Sequence, residues 1–358
     1  MSNDSATAEE IYAGTKPVDA KHRIDEGALA AWMAANVVDY DGPLTISQFK
    51  GGQSNPTYRL DTPGASYVLR RKPPGKLLVS AHAIDREFRV ISALCEAGYP
   101  VPRPYGLCLD DGMIGTIFYV MSMEEGRVFW DGALPTLSRE ERGAIYRSQI
   151  ETLAGLHRYD PRELKLGDFG RSGNYCARQV DRWVKQYRLS ETTCIDEMER
   201  LIKWLPSTIP NQRRVSVVHG DFRLNNVMFC QTEPKVRVVL DWELSTLGDP
   251  LADFTNFLCT WIIPYAGKSN LGGLDLKGLG IPTVDEAIGI YRNTSDGTEI
   301  DNLNWYFAYN MFRLAAIMQG IAGRARDGTA SSPQAVEEGR SAGSLAALAW
   351  EYALRAGA

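Results

Sequence analysis

The chain has 358 residues, 44% of them hydrophobic, and a formal net charge of −5 at pH 7. This length is sufficient for a large buried core and predicts a division into two lobes. The mild charge gives no support for a nucleic-acid or membrane-surface binder, and no apolar run approaches the length of a transmembrane helix. Six cysteines without a Cys-x-x-Cys pair, four scattered histidines and a polar start predict reduced thiols, no zinc site and a cytoplasmic protein.

The first third of the chain is predicted to be rich in strands. Residues 1–20 are polar and are expected to be flexible, and a helix is predicted over residues 24–38, before Gly42 and Pro43. Short β-branched and aromatic runs separated by turn residues then predict strands, and an apolar stripe of helical spacing predicts a second helix. The strands are predicted at residues 44–50, 57–61, 67–71 and 116–123, and the second helix at residues 84–97.

The remainder of the chain carries mainly helical patterns. We place the boundary after Met123, so that a small nucleotide-binding lobe of residues 1–123 precedes a larger, mainly helical lobe of residues 124–358. This segregation of strands and helices predicts an α+β fold. The helices are predicted at residues 138–157, 176–189, 191–205, 248–262, 283–292, 303–323 and 334–355.

A polar loop between two apolar runs carries the clearest chemical signal. From Val217 to Phe229 the sequence reads Val-Val-His-Gly-Asp-Phe-Arg-Leu-Asn-Asn-Val-Met-Phe. Asp221 in this loop is suited to take the proton of a hydroxyl group. Asn226 and Asp241 offer the hard oxygen ligands that Mg²⁺ prefers. These side chains predict phosphoryl transfer, in which positioning and charge neutralisation supply most of the catalysis.

A hairpin is the simplest structure between the two candidate metal ligands. Two short apolar runs, residues 227–229 and 236–240, flank a turn-rich polar stretch. The simplest register places Asn226 opposite Asp241, so that two oxygen ligands become neighbours at one end of the hairpin. The alternative is an ordinary solvated hairpin with polar ends.

These motifs resemble those of the aminoglycoside phosphotransferase family, whose members are relatives of protein and choline kinases. His219, Asp221 and Asn226 match the His-x-Asp-x-x-x-x-Asn pattern of that family, and Asp241 matches its second metal-binding aspartate. Longer stretches around both motifs resemble the branch found fused to acyl-CoA dehydrogenases. The resemblance covers residues 51–322 and implies a two-lobe, protein-kinase-like fold that uses ATP or GTP together with Mg²⁺.

A glycine-containing loop between two predicted strands is the candidate for holding the phosphates. Gly51 and Gly52 let the backbone approach a phosphate closely, and backbone N–H groups up to Ser54 and Asn55 can bind it. An ordinary hairpin loop is the alternative when these residues are considered alone. The catalytic-loop motif favours the phosphate-binding interpretation.

Arg70, on a predicted strand, is the candidate cation for steadying the phosphates. By the resemblance it occupies a position that is usually lysine in kinases. Glu87 is three residues from Ile84 and four from Ile91, so its carboxylate lies on the buried side of the predicted helix and needs a neutralising partner. We expect Arg70 to be that partner; a purely structural ion pair is the alternative.

The resemblance also implies roles for three further residues. Residues 119–124 correspond to the hinge whose backbone binds the purine, so that Met121 and Met123 would line the base pocket; the alternative is that both are core residues. Arg223 stands where protein kinases often carry a lysine that faces the γ-phosphate, or it is merely exposed. His219 is either an acid–base group or, as we prefer, a structural anchor of the loop.

Three more acids lie downstream of Asp241. Glu243 is expected either to orient the metal ligands or to pair with an arginine. Asp249 and Asp253 are interpreted as structural, and Asp249 is suited to cap a helix that begins at Pro250.

The sequence therefore predicts an enzyme, a nucleotide- and Mg²⁺-dependent O-phosphotransferase that acts on a small hydroxylated acceptor. Aromatic and arginine residues dominate between Trp261 and Arg326, which favours an apolar or anionic acceptor over an aminoglycoside, unless several of them are core residues. The resemblance to the branch fused to acyl-CoA dehydrogenases implies a hydroxyacyl compound. A protein kinase is a further alternative, although no Ala-Pro-Glu-like segment follows Asp241. A nucleotide-binding regulator without turnover is the alternative from another class. The sequence predicts no particular oligomeric state.

Overall fold

A computed structural model describes residues 14–50, 55–73, 83–328 and 339–358. The described residues form two compact units. Unit 1 contains the residues up to Trp130 together with Leu164–Leu166 and Leu224–Ser245. Unit 2 contains Asp131–Glu163, Gly167–Arg223 and the residues from Thr246 onwards. These units divide the chain differently from the predicted lobes, because residues 124–130 and the segment around Asp241 belong to unit 1.

Unit 1 is built on a six-stranded antiparallel sheet with two accompanying helices. Thr15 and Lys16 pair with Phe49 and Gln48 at its edge, which corrects the expected flexibility for these two residues. The strands are β1 (Thr15–Lys16), β2 (Thr45–Phe49), β3 (Thr57–Asp61), β4 (Ser66–Arg71), β5 (Pro104–Cys108) and β6 (Phe118–Ser122), in the spatial order β1-β2-β3-β4-β6-β5. The helices are α1 (Glu26–Asn36) and α2 (Ile84–Glu96).

Alternate residues of this sheet face two different helices. Trp32 of α1 belongs to the same buried cluster as Leu69 of β4. On α2, the ring of Phe88 lies 5.7 Å from the ring of Tyr119 of β6. Because successive residues of a strand point to opposite faces, Arg70, which follows Leu69, points towards α2. The alternation of side chains along β4 thus places Arg70 on the side of the sheet that faces α2, the helix that carries Glu87.

Residues 224–245 contribute a hairpin to unit 1, as predicted. The predicted register is wrong by one residue: the carbonyl oxygen of Asn226 accepts from the N–H of Leu240 at 2.9 Å, so Asn226 is not opposite Asp241. The difference begins at the turn, where the N–H of Cys230 donates to the carbonyl oxygen of Lys235 at 2.9 Å, two residues before the partner that the simplest register gives it. A β-bulge at Arg237 then recovers one of these two residues. The two strands are β8 (Val227–Phe229) and β9 (Val236–Val239).

Unit 2 is mainly helical and contains a short antiparallel pair of strands, β7 (Ser216–Val218) and β10 (Thr246–Gly248). The sequence predicted neither β10 nor the short helix α7. None of the helices in the described ranges is both long and apolar enough to cross a membrane. The helices are α3 (Arg139–Arg158), α4 (Tyr175–Ser190), α5 (Asp196–Ser207), α6 (Pro250–Ile262), α7 (Leu276–Leu279), α8 (Val284–Thr294), α9 (Leu303–Arg326) and α10 (Ser341–Arg355).

Side-chain caps fix where several of these helices begin. Ser138 and Thr283 start α3 and α8 with capping boxes. In each box the side chain of the first residue accepts from the backbone N–H of a glutamate three residues later, whose side chain accepts from the backbone N–H of the first residue. Asp249 caps α6 by accepting from the N–H of Leu251 at 3.0 Å, and Pro250 follows it, as predicted. The long helix α9 packs against α4, α6 and α10, and its Tyr306 hydroxyl donates to Oδ2 of Asp249, the cap of α6, at 2.8 Å.

Candidate nucleotide and catalytic site

Arg70 of β4 lies at the centre of a cluster of carboxylates in unit 1. Its Nη1 atom is 3.2 Å from Oε1 of Glu87 on α2, which confirms the predicted ion pair. Its Nη2 atom donates to Oδ1 of Asp241 and to Oε2 of Glu243, both at 3.1 Å. The guanidinium fork therefore connects the sheet to α2 through an ion pair and to the segment after β9 through charge-assisted hydrogen bonds.

Burial makes the protonation of this cluster unusual. The side chains of Glu87 and Arg70 are 2% and 12% exposed. Burial raises the pKa of Glu87 to about 7; Arg70 opposes this shift, whereas Asp241 and Glu243 add to it. For Arg70 burial disfavours the charged form, but Glu87 and the other neighbours outweigh it and raise the pKa above its ordinary value. Arg70 therefore stays charged, and Glu87 is the member of the pair that titrates near neutrality.

The composition of the cluster fits a divalent cation. With Glu87, Asp241 and Glu243 all ionised, the single charge of Arg70 leaves a formal charge of −2. Mg²⁺ carries the opposite charge and takes carboxylate oxygen ligands. Nε of Arg70 and Oε2 of Glu87 are buried without a hydrogen-bond partner in the described part of the chain, and the Tyr119 hydroxyl approaches Glu87 without reaching hydrogen-bond geometry.

Asn55 joins the cluster from the end of the predicted phosphate-binding loop. It is 1% exposed, and its Nδ2 atom donates to Oε2 of Glu243 at 3.1 Å. The same oxygen accepts from Arg70, so Glu243 connects the loop end to the cation. The other predicted residues of this loop lie outside the described residues: Gly51, Gly52 and Ser54.

The predicted metal ligands lie at one end of the hairpin despite the corrected register. Asn226 is buried and ends a short 3-10 helix, Leu224–Asn226, immediately before β8. Asp241 follows Leu240, whose N–H is bonded to Asn226, and has a φ of 66°. A non-glycine residue rarely adopts this left-handed conformation, and such strained positions cluster at functional sites. The backbone thus holds Asp241 in a fixed position beside Arg70.

The predicted base-pocket residues lie at the end of β6. Met121 is 9% exposed and pairs with Val68 of β4, so its side chain belongs largely to the core. Met123 follows the strand, and its N–H approaches the carbonyl oxygen of Ser66 at 3.4 Å. A role of either residue in binding a purine stays a prediction.

In unit 2 the predicted catalytic loop follows β7 directly. Gly220 turns the chain between His219 and Asp221 with a φ of 85°, which glycine adopts without a steric cost. His219 is fully buried, and its Nδ1 atom accepts from the backbone N–H of Asp221 at 3.3 Å. This hydrogen bond is the anchoring role that we preferred for His219.

Asp253 of α6 fixes the backbone of this loop. Its Oδ2 accepts from the N–H of His219 at 2.7 Å, and its Oδ1 accepts from the N–H of Gly220 at 2.9 Å. His157 supports Asp253 through Nε2, 3.3 Å from Oδ2, while its Nδ1 lies 2.7 Å from the Tyr291 hydroxyl. Burial acts to raise the pKa of Asp253, but His157 and the loop N–H groups outweigh burial and hold it below its ordinary value. An ionised carboxylate therefore holds the catalytic loop.

Asp221 is the accessible carboxylate of the loop. Its side chain is 29% exposed, and its Oδ2 lies 3.2 Å from Nε of Arg223, so the two predicted catalytic residues contact each other. A second cation lies on α9, where Nη2 of Arg313 donates to the carbonyl oxygen of Gly220 at 2.9 Å. Among the described residues Arg313 makes no direct ion pair, but the ionised carboxylate of Asp253 contacts the same residue, Gly220, through its N–H group.

Sequence reasoning assigned no definite site role to Glu243, Asp253 or Arg313. Glu243 proves to pair with an arginine, which was one of its two alternatives. Asp253 is structural, as interpreted, but the structure it supports is the catalytic loop. The pairing of β10 with β7 brings Asp253 near the loop, because β10 ends just before Asp249 and β7 ends just before the loop. A sequence prediction of this pairing would have placed Asp253 there. Arg313 carries no local signal, since its contact with Gly220 spans 93 residues.

Residues 45–286 match the profile of the phosphotransferase enzyme family, and the chain belongs to that family. Its fold is the kinase-like α+β fold that the sequence predicts. A choline kinase from Cryptosporidium parvum, only 11% identical, shares the fold with a TM-score of 0.64 over 93% of this chain and 97% of its own. The predicted resemblance to this family is thereby confirmed.

Relatives with greater identity belong to the predicted branch. The chain is 44% identical over 346 residues to acyl-CoA dehydrogenase family member 10 of Mus musculus, and 40% identical over 333 residues to member 11 of Homo sapiens. It spans 96% and 91% of its own length in these matches, but only 32% and 42% of theirs. A solved Ralstonia eutropha structure, provisionally described as an aminoglycoside phosphotransferase, is 46% identical with a TM-score of 0.87, covering 93% of this chain and 99% of that one.

Asn226→Ala and Asp241→Ala should each raise the Mg²⁺ concentration needed for stabilisation by ATP, by about tenfold, because each removes an oxygen ligand. Thermal unfolding with ATP across a Mg²⁺ titration measures the midpoint. Asp111→Ala, an exposed position of unit 1, is the control. Midpoints equal to that of the control would show that neither residue holds the metal.

Glu87→Gln should flatten the pH dependence of stability. Burial raises the pKa of Glu87 from 4.5 to about 7, so the folded chain binds more protons than the unfolded chain between these values. The stability associated with Glu87 is therefore complete below the lower value and is lost as the pH rises through the upper one. Denaturant unfolding should show the wild type losing stability relative to Glu87→Gln between about pH 5 and about pH 8. Parallel pH profiles would contradict the raised pKa; Glu96→Gln, exposed on α2, is the control.

Proposed function

We propose that this protein transfers the γ-phosphoryl group of ATP or GTP to a hydroxyl group of a small molecule, with Mg²⁺ as cofactor. The observation that carries the proposal is the convergence of Glu87, Asp241 and Glu243 on Arg70. Membership of the phosphotransferase family supports it. A cytoplasmic location is part of the proposal and rests on composition alone.

The residues of unit 1 bind the nucleotide in this proposal. Arg70, oriented by Glu87, donates to the phosphates, as the strand lysine does in kinases. Asn226 and Asp241 hold Mg²⁺, which when bound neutralises charge on the phosphate oxygens. The loop from Gly51 to Asn55 covers the phosphates, and Met121 and Met123 line the base pocket. A spectinomycin phosphotransferase that shares the fold, with a TM-score of 0.60, was solved with ADP, which supports a nucleotide ligand.

Asp221 acts on the acceptor in unit 2. The acceptor oxygen forms a bond to the γ-phosphorus while the bond from that phosphorus to the nucleoside diphosphate oxygen breaks, and Asp221 takes the hydroxyl proton. Arg223, 3.2 Å from Asp221, limits the free rotation of the carboxylate and offers a positive charge to the transferring group. Asp253 and His219 keep the loop backbone fixed, so the base is held at one position.

The acceptor in this proposal is anionic or apolar rather than polycationic. The guanidinium of Arg313 beside Gly220 favours an acceptor with a negative charge over an aminoglycoside. The relatives named as acyl-CoA dehydrogenase family members support a hydroxyacyl compound. The aromatic residues of α9 add less support than their number suggests, because Trp305 and Tyr309 are 3% and 1% exposed and stack on each other in the core.

Asp221→Asn should reduce kcat by about 10²–10⁴-fold, because the amide cannot take the proton. The fold and the affinity for nucleotide should be preserved, since Asp221 is partly exposed and asparagine has nearly the same shape as aspartate. Nucleotide affinity by calorimetry and ADP release with acceptor measure the two effects. Asp285→Asn, exposed on α8, is the control. A purified variant with near wild-type kcat would exclude Asp221 as the base.

A coupled ADP-release assay should find hydroxy acids or their CoA esters to be better acceptors than kanamycin-type sugars. The physical reason in this proposal is the guanidinium of Arg313 beside the loop, which attracts an anionic acceptor. Efficient turnover of an aminoglycoside, with none of hydroxyacyl compounds, would overturn the acceptor class but not the chemistry. Nucleotide binding without ADP release for any hydroxylated compound would favour the regulator instead.

A further inference from the structure

We propose that Glu243 makes nucleotide binding conditional on the metal ion, by holding Arg70 and Asn55 on the carboxylates of the cluster. The inference rests on the proposed nucleotide site and concerns residues of unit 1 only. It assigns to Glu243 the role of a positioning residue, which acts through Arg70 and Asn55 rather than by binding the metal.

A single oxygen atom of Glu243 carries both contacts. Oε2 accepts from Nδ2 of Asn55 and from Nη2 of Arg70, each at 3.1 Å. Asn55 ends the loop predicted to cover the phosphates, and Arg70 is the cation predicted to bind them. Both groups that must reach a phosphate are therefore bonded to the same carboxylate.

The fork of Arg70 allows these bonds to be exchanged without losing the buried ion pair. Nη1 forms the ion pair with Glu87, whose side chain is 2% exposed. Nη2 forms ion pairs with Asp241 and Glu243, whose side chains are 35% and 25% exposed. Nη2 lies on the accessible side and can move to a phosphate oxygen while Nη1 stays on Glu87. A lysine has a single ammonium group at one point and would have to serve both sides from it.

Charge decides when this exchange is favourable. If Arg70 turns to a phosphate without a metal ion, Asp241 and Glu243 lose their counter-ion and face a polyanionic nucleotide. If Mg²⁺ arrives with the nucleotide, it replaces the charge that Arg70 withdraws from Asp241. Glu243 thus opposes the binding of metal-free nucleotide more strongly than the binding of the Mg²⁺ complex, and the ratio of the two affinities measures its effect.

The test is calorimetric titration of ADP in excess Mg²⁺ and in EDTA. For Glu243→Gln we expect ADP in EDTA to bind about five- to tenfold more tightly than to the wild type, and Mg²⁺–ADP to change by less than about twofold. Glu243→Ala, which removes the hydrogen bonds as well as the charge, should shift the ratio in the same direction and serves if the glutamine variant does not fold. Glu96→Gln, exposed on α2, should leave both affinities unchanged.

Arg70→Lys provides the readout that separates positioning from general electrostatics. If Glu243 acts through the guanidinium fork, Glu243→Gln should change the affinity ratio much less in the Arg70→Lys background than in the wild type. An equal change in both backgrounds would mean that the charge of Glu243 acts directly on the nucleotide, and it would overturn the proposal.

The remaining outcomes also decide the matter. Weakened binding of Mg²⁺–ADP alone would make Glu243 a metal ligand, and equal weakening of both forms would make it a structural support; either result overturns the inference, as does an unchanged ratio. A wild-type protein that binds neither form of ADP would instead refute the nucleotide site and the proposed function. The two failures are therefore distinguishable.

Discussion

Unit 1 depends on one buried guanidinium that serves three carboxylates. Arg70 forms ion pairs with Glu87, Asp241 and Glu243. Glu87 lies on α2, whereas Asp241 is 171 residues away from Arg70 along the chain. Burying so many charges is costly unless each is paired. The geometry of β4, α2 and the hairpin is therefore constrained by this pairing, and it leaves a charge deficit that suits Mg²⁺ and a polyphosphate.

Unit 2 uses a second buried charge for a different purpose. Asp253 accepts from two consecutive backbone N–H groups and is supported by His157, so its charge fixes a loop rather than binding a ligand. The loop can then present Asp221 at the surface without being mobile. In each unit, buried charged groups thus hold in place partly exposed side chains that the proposed chemistry uses.

Local patterns in the sequence predicted most helices, most strands and the Arg70–Glu87 pair, because helical spacing shows which face of α2 is buried. Non-local features were not predictable in this way. The turn of the hairpin and the β-bulge at Arg237 together placed the register one residue away from the simplest one, and the pairing of β10 with β7 left no periodic signal. The bond between Asn55 and Glu243 joins residues 188 positions apart. Motif resemblance predicted the catalytic loop, and the fold showed which side chains hold its backbone.

A crystal structure with Mg²⁺ and a non-hydrolysable ATP analogue tests the central claim most directly. The account predicts the metal on the side-chain oxygens of Asn226 and Asp241, and a phosphate oxygen within hydrogen-bond distance of Nη2 of Arg70, with Nη1 still on Glu87. A nucleotide bound elsewhere, or one bound with Arg70 still on Asp241 and Glu243 and no metal beside them, would contradict it.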